Sequence, residues 1–332
     1  MTTPLQQRRS PRGVPMVSLV IVNWNAAKYL EECLTSIGAG RYPWPIEVIV
    51  VDNLSSDDSV SMVRRLFPHV TLIQNDDNLG FSKANNIGIR RASGKYVALV
   101  NSDVHVLNDC VQQLVQYLET HPDCGMVGPK IIGGDGKQQN SHRGFPRLWS
   151  MLCRAVALDR LFPNTPLFSG YLLNSRSLGG PTPVEILSGC FLVVARTALD
   201  EVGLLDEAFF IYGEDMDWCK RFWRAGRRVI FLPSAESIHY GGASSANAPL
   251  RFFVEMQRAD LQYWQKHHSR TSVALYLAFC VLHHLVRILG HRLAAVLMAN
   301  RSASHIHRAE CSSVCLKWML SNLGLARGAV HH

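Results

Sequence analysis

Short apolar runs alternate with helical patterns from Val17 to about Leu118. Four of these runs are rich in β-branched residues and almost continuous in hydrophobicity, as strands covered on both faces are. They are VSLVIV (17–22), IEVIVV (46–51), VTLIQ (70–74) and YVALV (96–100). The runs predict parallel strands of an open α/β sheet.

Apolar stripes at helical spacing separate these runs, and a further stripe follows the fourth. The first stripe comes after the cap-like Asn25, and the second comes after residues 55–58. The apolar positions are Tyr29, Leu30, Cys33, Leu34 and Ile37, then Val60, Val63 and Phe67, then Val111, Leu114, Val115 and Leu118. This βαβ rhythm predicts a ligand at the carboxyl ends of the strands.

Polar residues follow each predicted strand, at 23–25, 52–57, 75–80 and 101–103. The first turn lacks GxGxxG, so a dinucleotide is not expected, although side chains could still hold a nucleotide there. Asp52 could accept a hydrogen bond from a base, or it could form an Asx-turn with Asn53 that caps the next helix. The pattern alone leaves both interpretations open.

The segment NLGFSKANNIG (78–88) follows the third strand. Gly80 allows close backbone approach, and Lys83, Asn85 and Asn86 begin a helix that could face phosphate groups. By itself this pattern is weak.

The composition indicates the net charge of the protein and the cellular compartment in which it is expected. The 332 residues carry 34 Lys and Arg against 26 Asp and Glu, a net charge of +8, which suits a phosphorylated substrate, nucleic acid or an anionic membrane surface. The nine cysteines include no CxxC pair, which favours reduced thiols in the cytosol. Residues 1–15 are polar and basic and lack the apolar core of a signal peptide, so we expect a mobile tail and catalysis facing the cytosol.

From Val17 to Tyr240 the sequence resembles the inverting family-2 glycosyltransferases, which have the GT-A fold. The resemblance rests on VSLVIVNWN, IEVIVVDNLSSDDS, NDDNLGFSKANNIGIRRASGKYVALVNSD, LSGCFLVVAR and GLLDEAFFIYGEDMDWCKRFWRAGRRVIFLPSAESIHYGG, in the family's order. Within the family it is most similar to the rhamnosyltransferase-like branch of bacterial surface-polysaccharide enzymes. The resemblance implies a nucleotide-diphosphate sugar as donor, dTDP-rhamnose or a UDP or GDP sugar, and a saccharide or lipid-linked acceptor.

The resemblance also implies a divalent cation, Mg²⁺ or Mn²⁺, to neutralise charge on the departing diphosphate. The family's D-x-D triplet corresponds to Asn101-Ser102-Asp103, so an amide stands where the family usually has its first carboxylate. Asp103 is then the metal ligand, and Asn101 and Ser102 lie near the nucleotide. His239 matches a further metal ligand of related enzymes, although a lone His is more often structural.

The remaining donor contacts are expected at the strand ends and in the LSGC segment. Ser188 and Gly189 of LSGC would shape the pocket for the donor sugar and the acceptor. The predicted nucleotide and donor residues are Val22, Asn23, Asn25, Asp52, Asn53, Gly80, Lys83, Asn85, Asn101, Ser102, Ser188 and Gly189.

Residues 213–226, GEDMDWCKRFWRAG, predict a helix with an acidic first turn and with Trp218, Cys219 and Phe222 facing inward. An acidic helix start is ordinary by itself. The resemblance implies that Asp215 is the general base for the acceptor hydroxyl, that Glu214 positions the acceptor, and that inversion follows from one direct displacement. Asp217 is a poorer candidate because it lies roughly opposite on the helix.

Residues 131–183 are rich in Gly, Pro and Ser and predict long loops over a cleft, which could act as a lid. Arg143 and Arg147 in this segment could meet phosphate or could be solvated charges.

The C-terminal part changes character. After a predicted helix over 252–270, an apolar run over 272–299 is interrupted by His283, His284, Arg287 and His291. A transmembrane helix needs about 20 apolar residues with few charges. One or two amphipathic helices on an anionic membrane surface fit better, and packing on the catalytic domain or in a homodimer is the alternative. A last helix is predicted over 313–325.

The predicted organisation is a flexible tail (1–15), a GT-A domain with a mostly parallel twisted sheet flanked by helices (16–245), and a membrane-associating helical region (246–332). We expect an enzyme at the cytoplasmic face of the inner membrane. One alternative is an inactive nucleotide-sugar-binding or scaffold protein of the same fold, which the change at Asn101 would allow. Nucleic acid is not expected as a partner, because the chain has no basic-aromatic stripe or reading helix.

Overall fold

The computed structural model describes residues 16–298 and 302–322, apart from 163–164, 166, 169–177 and 242–248. The predicted tail at 1–15 and the predicted boundary at residue 245 lie outside the described residues. The strands are β1 (Val17–Asn23), β2 (Ile46–Asp52), β3 (Thr71–Gln74), β4 (Tyr96–Asn101), β5 (Val104–Val106), β6 (Cys124–Gly133), β7 (His142–Arg143), β8 (Thr182–Pro183), β9 (Ile186–Leu187), β10 (Phe191–Ala195) and β11 (Arg228–His239).

Helices follow most of the strands. They are α1 (Ala27–Ala39), α2 (Ser59–Leu66), α3 (Phe81–Arg91), α4 (Cys110–Thr120), α5 (Leu148–Ala155), α6 (Leu158–Leu161), α7 (Arg196–Val202), α8 (Glu214–Arg224), α9 (Pro249–His267), α10 (Arg270–Leu297) and α11 (Ser302–Asn322). The four predicted strands and the three predicted stripes correspond to β1–β4 and to α1, α2 and α4.

One mixed sheet organises the described chain, in the strand order β3-β2-β1-β4-β10-β6-β11-β5, with β8 beside β11. β1 to β4 are mutually parallel, and β10 runs antiparallel to β4 and β6. The prediction of an α/β fold with a sheet flanked by helices is confirmed.

The register aligns the polar strand ends. Asn23 pairs with Asp52 across β1 and β2, Asp52 pairs with Gln74 on β3, and Val22 pairs with Asn101 on β4. Because parallel strands end on the same side of a sheet, these side chains share one edge. That edge is the predicted location of the site.

Helices cover both faces of the sheet. The apolar sides of α1, α2 and α4 form one core with the strands, and the buried residues of α3, α7, α8 and α9 form the other. Trp218 and Phe222 of α8 are almost fully buried, as predicted. The burial of Trp264 from α9 and Tyr276 from α10 in the same core joins these C-terminal helices to the sheet.

Two local predictions are wrong. The α1 cap position is Ala26 rather than Asn25, because Asn25 has a positive φ of 50° and Asp57 accepts the hydrogen bond from the Ala27 N–H at 2.9 Å. Residues 131–183 are not simply loops, since β6 continues to Gly133 and α5 packs Met151 and Cys153 inward.

The helix predicted over 252–270 is α9. The interrupted run over 272–299 forms one continuous helix, α10, rather than a pair, and α11 begins before the predicted residue 313. In the described part of the chain, α10 alone has the length and composition to cross a membrane. Of its most apolar stretch of 18 residues, 22% is buried inside the protein.

The first part of α10 buries Val273, Tyr276 and Leu277, and polar residues face the protein farther along the helix. His284 is buried, and the Arg287 Nε donates a hydrogen bond to Ser312 of α11 at 3.2 Å. The exposed large side chains recur every three, four or seven residues, which places them along one side of the helix. This outer stripe consists of Leu275, Leu282, Leu285, Val286, Leu289, Leu293, Val296 and Leu297.

Candidate active site

Asp103 and His239 meet although they are far apart in the sequence. Asp103 lies in the turn between β4 and β5, and β5 pairs antiparallel with the end of β11, with Val104 opposite His239. The His239 Nε2 lies 3.2 Å from the Asp103 Oδ1. The sheet topology therefore brings together the two predicted metal ligands.

Gln139 orients His239 through two contacts. Its Nε2 donates to the His239 carbonyl at 2.8 Å, and its Oε1 lies 2.9 Å from the His239 Nδ1. When the Nδ1 carries the proton for that second contact, the Nε2 lone pair points toward Asp103. An outer residue that fixes the tautomer in this way is a common companion of metal-ligating histidines. No sequence pattern identified Gln139.

The donor set fits a divalent cation with open coordination positions. A carboxylate and an imidazole suit Mn²⁺ or Mg²⁺, and diphosphate oxygens would take other positions. Within the described ranges, no group of three or more His, Cys, Asp or Glu side chains is placed to hold a metal. The Asn101 Oδ1 is buried without a hydrogen-bond partner, so an oxygen ligand remains available nearby.

Asp52 takes part in a tight network at the predicted nucleotide edge. Its carboxylate accepts hydrogen bonds from the Asn23 Nδ2 at 3.0 Å, from the Ser55 N–H at 2.9 Å and from the Ser55 Oγ at 2.6 Å, and the residue is 2% exposed. Asn25 joins from the neighbouring turn, since its Oδ1 accepts from the Ser56 N–H at 2.7 Å. Asp52 therefore stabilises the turn, but it does not cap the next helix, because α2 begins at Ser59 with Asp58 at its cap position. Contact with a base stays a prediction.

Asn53 links three strand-end loops. Its Nδ2 donates to the Gly80 carbonyl at 3.0 Å, its Oδ1 accepts from the Asn75 Nδ2 at 2.8 Å, and its N–H donates to the Asn23 carbonyl at 2.8 Å. These bonds hold together the loops at the carboxyl ends of the parallel strands, where Val22 and Ser102 also lie. The edge is a rigid platform before any ligand arrives.

Gly80 permits a close backbone approach, but to the protein itself. Its φ is +81°, and a β-carbon there would lie 2.4 Å from the Phe210 carbonyl oxygen. The same carbonyl accepts a hydrogen bond from the Phe81 N–H at the start of α3. The loop before α8 thus occupies the space that the glycine leaves.

Lys83, Asn85 and Asn86 of α3 were expected to face phosphate groups, but the two asparagines bond to the protein instead. The Asn85 Nδ2 donates to the Phe81 carbonyl at 2.9 Å, and the Asn86 amide bonds to Leu205 and Glu207. Both asparagines are buried: Asn85 bonds within the first turn of α3, and Asn86 bonds to the loop between α7 and α8. Lys83 is exposed, so it alone of the three is free to face a ligand.

Glu214 and Asp215 begin α8 and are 6% and 8% exposed. The Asp215 carboxylate accepts hydrogen bonds from the Arg143 Nη2 at 3.1 and 3.2 Å, from the Gly189 N–H at 3.3 Å and from the Met216 N–H at 2.7 Å. A cation and two amides therefore hold the Asp215 side chain in place.

Glu214 has the opposite environment. Its Oε2 is buried and has no hydrogen-bond partner among the described residues. Burial, and then the neighbouring charge of Asp215, raise the pKa of Glu214 to about 8. At neutral pH this carboxyl group is protonated, so it can donate a hydrogen bond.

Arg143 was expected to meet phosphate or solvent, and it instead pairs with Asp215. Arg147 pairs with Glu185 at 2.8 Å at an exposed position. The contact of Arg143 joins residues 72 positions apart, which spacing along the sequence could not indicate.

The LSGC segment connects the two halves of the site. The Cys190 carbonyl accepts a hydrogen bond from the Asn101 N–H at 2.8 Å, and the neighbouring Gly189 contacts Asp215. Charges on both Asp103 and Asp215 raise the pKa of the buried Cys190, after the larger effect of burial. The predicted ligand pair and the predicted catalytic pair therefore border one region.

Asp217 is excluded from this region, as predicted. It is fully buried and pairs with Arg221 at 2.9 Å, with Lys266 at 2.8 Å and with His267 at 2.7 Å. Burial alone would raise the pKa of Asp217, but these partners lower it to about 2. Asp217 joins α8 to α9.

Known proteins provide an independent comparison. The profile of the family "Glycosyl transferase family 2" matches residues 18–177. An N-acetylglucosaminyl-diphospho-decaprenol L-rhamnosyltransferase of Mycobacterium tuberculosis is 28% identical over 265 residues, which cover 76% of this chain and 85% of the relative. A hexosyltransferase of low-salt glycan biosynthesis from Haloferax volcanii is 23% identical over 67% of this chain and 66% of the relative.

The fold also matches a solved glycosyltransferase structure. A mannosyltransferase from Pyrobaculum calidifontis, in complex with GDP-Man and Mn²⁺, aligns with a TM-score of 0.55 and 20% identity over 97% of this chain and 90% of that one. This likeness supports the GT-A fold. Sequence profile, relatives and fold agree: residues 18–177 match the family-2 glycosyltransferase model, and the chain is similar to glycosyltransferases over most of its length.

Proposed function

We propose that this glycosyltransferase transfers a rhamnosyl group from a nucleotide-diphosphate sugar such as dTDP-rhamnose to a lipid-linked saccharide, in the synthesis of a cell-surface polysaccharide. The name of the mycobacterial relative supports this donor and acceptor class. The observation that carries the proposal is the approach of the Asp103–His239 pair and the Glu214–Asp215 pair to the same LSGC turn.

The proposed reaction is a single displacement. The acceptor hydroxyl gives its proton to the Asp215 carboxylate while its oxygen forms a bond to the anomeric carbon of the donor sugar. The bond from that carbon to the diphosphate breaks on the opposite side, so the anomeric configuration inverts and the nucleoside diphosphate leaves. Arg143 and the amides of Gly189 and Met216 orient the Asp215 carboxylate for this step.

Glu214 has a different proposed role. Because its carboxyl group is protonated at neutral pH, it donates a hydrogen bond to the acceptor and leaves proton removal to Asp215. Two adjacent carboxyl groups with separated proton affinities can divide the work of positioning and of base catalysis.

Asp103 and His239 would hold the divalent cation, and Asn101 with its unpaired Oδ1 lies near that end of the donor site. When bound, Mg²⁺ or Mn²⁺ supplies positive charge to the departing diphosphate. The strand-end platform of Asn23, Asp52 and Asn53 would face the nucleoside.

The outer stripe of α10 supports a membrane-surface location. A helix with polar residues toward the protein and leucines outward needs an apolar environment on its outer side. We infer that α10 lies on the cytoplasmic face of the membrane, where a lipid-linked acceptor is anchored.

A transfer assay with dTDP-rhamnose, Mn²⁺ and a lipid-diphosphate N-acetylglucosamine acceptor tests the proposal. Asp215→Asn should lower kcat by about 10³-fold, as loss of a general base does, and Glu214→Gln should retain much more activity because the amide still donates. Asp200→Asn, an exposed change on α7, is the matched control.

Full transfer by Asp215→Asn would contradict the base assignment, and an equal loss in Glu214→Gln would move the base to Glu214. The donor itself is tested by the thermal stabilisation that a panel of nucleotide sugars gives, because a ligand stabilises the fold according to its saturation. A larger shift by a UDP or GDP sugar than by dTDP-rhamnose would replace the proposed donor.

A further inference from the structure

The described C-terminal helices and α5 line a cavity of about 400 Å³. Three guanidinium groups border it, Arg154 from α5, Arg287 from α10 and Arg308 from α11, and Asp260 is the one carboxylate in its lining among the described residues. We call this space the arginine cavity. Its lining therefore carries an excess of positive charge.

These cations lie close to one another. After burial, which has the largest effect, the charges of Arg160, Arg154 and Arg308 lower the pKa of Arg287. Among the residues that the structure describes, no carboxylate approaches Arg287 or Arg308 within the 4.0 Å of an ion pair. Neighbouring like charges disfavour the folded state, so an anion in the cavity would stabilise the protein.

The lining also has polar side chains, Gln257, His283, His284, His307 and Ser312, and an apolar part. Met151, Phe253, Met256 and Phe279 border the same space, and the outer stripe of α10 continues on the other side of that helix. A ligand that matches both features carries an anionic group and a hydrocarbon chain.

A second cavity connects this region with the catalytic residues. Its volume is about 270 Å³, and it shares Met151, Arg154 and Asp260 with the arginine cavity. Its other end is bordered by Arg143, which binds Asp215, and by Gly213, which precedes Glu214. We call it the inner cavity.

We propose that the two cavities form the acceptor site, and that Arg154, Arg287 and Arg308 bind the diphosphate of a lipid-linked saccharide. The proposal rests on the proposed function and locates its acceptor. The saccharide lies in the inner cavity with its hydroxyl toward Asp215, the diphosphate lies among the arginines, and the hydrocarbon leaves toward the apolar outer side of α10.

Guanidinium chemistry favours this anion. Each planar fork can donate two parallel hydrogen bonds to phosphate oxygens, and a diphosphate offers oxygens to several forks at once. A single carboxylate would neutralise one cation and leave the others uncompensated.

The test compares two acceptor probes on the full chain: N-acetylglucosaminyl diphosphate with a farnesyl chain, and a farnesyl N-acetylglucosaminide without the diphosphate. In the double variant Arg287→Gln/Arg308→Gln, we expect the KM for the diphosphate probe to rise by about tenfold or more, as the loss of charge-assisted hydrogen bonds predicts. The KM values for the nucleotide sugar and for the uncharged probe should stay within about twofold.

The matched control is Arg258→Gln/Arg292→Gln, which removes the same charge from α9 and α10 outside both cavities. An unchanged KM for the diphosphate probe in the cavity variant, or the same rise in the control, would overturn the proposal. An equal rise in the KM for the nucleotide sugar would assign these arginines to the donor and would also overturn it.

Binding by the wild-type protein separates this inference from the proposed function and does not depend on the variant folding. A photoreactive farnesyl diphosphate should label peptides of α9, α10 or α11 even if no rhamnosyl transfer is detected. Labelling confined to other elements contradicts the site. Displacement of the probe by an equal concentration of inorganic pyrophosphate would show that the cavity binds free diphosphate rather than the lipid-linked form.

Discussion

Two buried carboxyl groups lie one turn apart on α8 and have opposite environments. Asp217 contacts three basic side chains at the junction with α9, and its pKa is about 2. Glu214 faces the site with an oxygen that lacks a partner in the described protein, and its pKa is about 8. Pairing, more than burial, separates the carboxylate that holds the fold from the one that is available to a ligand.

The same contrast extends to two larger regions. At the strand ends, Asn23, Asp52 and Asn53 are tied into a hydrogen-bonded network with one another and with Asn75 and Gly80, although the buried Asn23 Oδ1 has no partner among the described residues. In the arginine cavity, Arg287 and Arg308 border the same space, and no carboxylate of the described residues forms an ion pair with either of them. The difference predicts that substitutions in the first region destabilise the fold and that substitutions in the second affect binding.

Asp217→Ala should produce the largest loss of stability. Removing this buried carboxylate takes a partner from Arg221, Lys266 and His267, and among the described residues only Lys266 keeps another ion pair, with Asp206. The loss should cost about 3–5 kcal/mol in the free energy of unfolding. Urea unfolding at pH 7 measures the loss, with the exposed Asp200→Ala as a control. A change under about 1 kcal/mol would mean that the junction does not depend on this charge.

Glu214→Gln should increase the stability of the folded protein, in contrast to Asp217→Ala. Unfolded glutamate releases its proton near its ordinary pKa of 4.5, whereas folded Glu214 keeps it until about pH 8. Wild-type stability therefore falls as the pH rises through this window. Glutamine does not ionise, so the variant should be more stable than the wild type at pH 8 by on the order of 4 kcal/mol.

Unfolding of the Glu214→Gln variant at pH 4 and at pH 8 checks the sign. The difference from the wild type should nearly vanish at pH 4, where both states of the glutamate are protonated. A stability gain of equal size at both values would assign the effect to packing.

Asn53→Ala should destabilise the protein by about 1–3 kcal/mol, because the Gly80 carbonyl and the Asn75 amide lose a buried partner. Thermal unfolding without nucleotide sugar measures this effect. An unchanged melting temperature would contradict the description of the strand ends as ordered before ligand binding.

Arg287→Gln should have the smallest effect on stability, within about 1 kcal/mol, because the lost bond to Ser312 is offset by weaker repulsion from the neighbouring arginines. Unfolding at low and at high ionic strength measures both contributions. Salt screens the repulsion between the arginines and so stabilises the wild type more than the variant. The stability of the variant relative to the wild type should therefore fall in high salt. A difference that does not depend on salt would argue against repulsion among these arginines.

Periodicity predicted the fold well where strands and helices have contrasting patterns. β1, β2, β3 and β4 begin and end within one residue of their predicted positions. α5 was missed, although Leu148, Met151, Leu152 and Ala155 have helical spacing, because Pro146 and the glycines before it favoured a loop. Sequence periodicity therefore predicts an element correctly when its local propensity agrees with its tertiary packing.

The site was predictable in part. Family motifs identified Asp103 and His239, which the antiparallel pairing of β5 with β11 brings to 3.2 Å. Gln139 and Arg143 were not identified as partners of the site, since each acts through a contact across about 70 to 100 residues. Burial and pairing, which decide the charge of Glu214, do not appear in a local pattern.

The proposed position of α10 on a membrane surface would have a kinetic consequence. A protein that lies on a bilayer meets an anchored acceptor by diffusion in two dimensions, so the rate follows the mole fraction of acceptor in the surface rather than its bulk concentration. Adding inert lipid or detergent at constant acceptor then slows transfer by surface dilution, without any change in the catalytic residues.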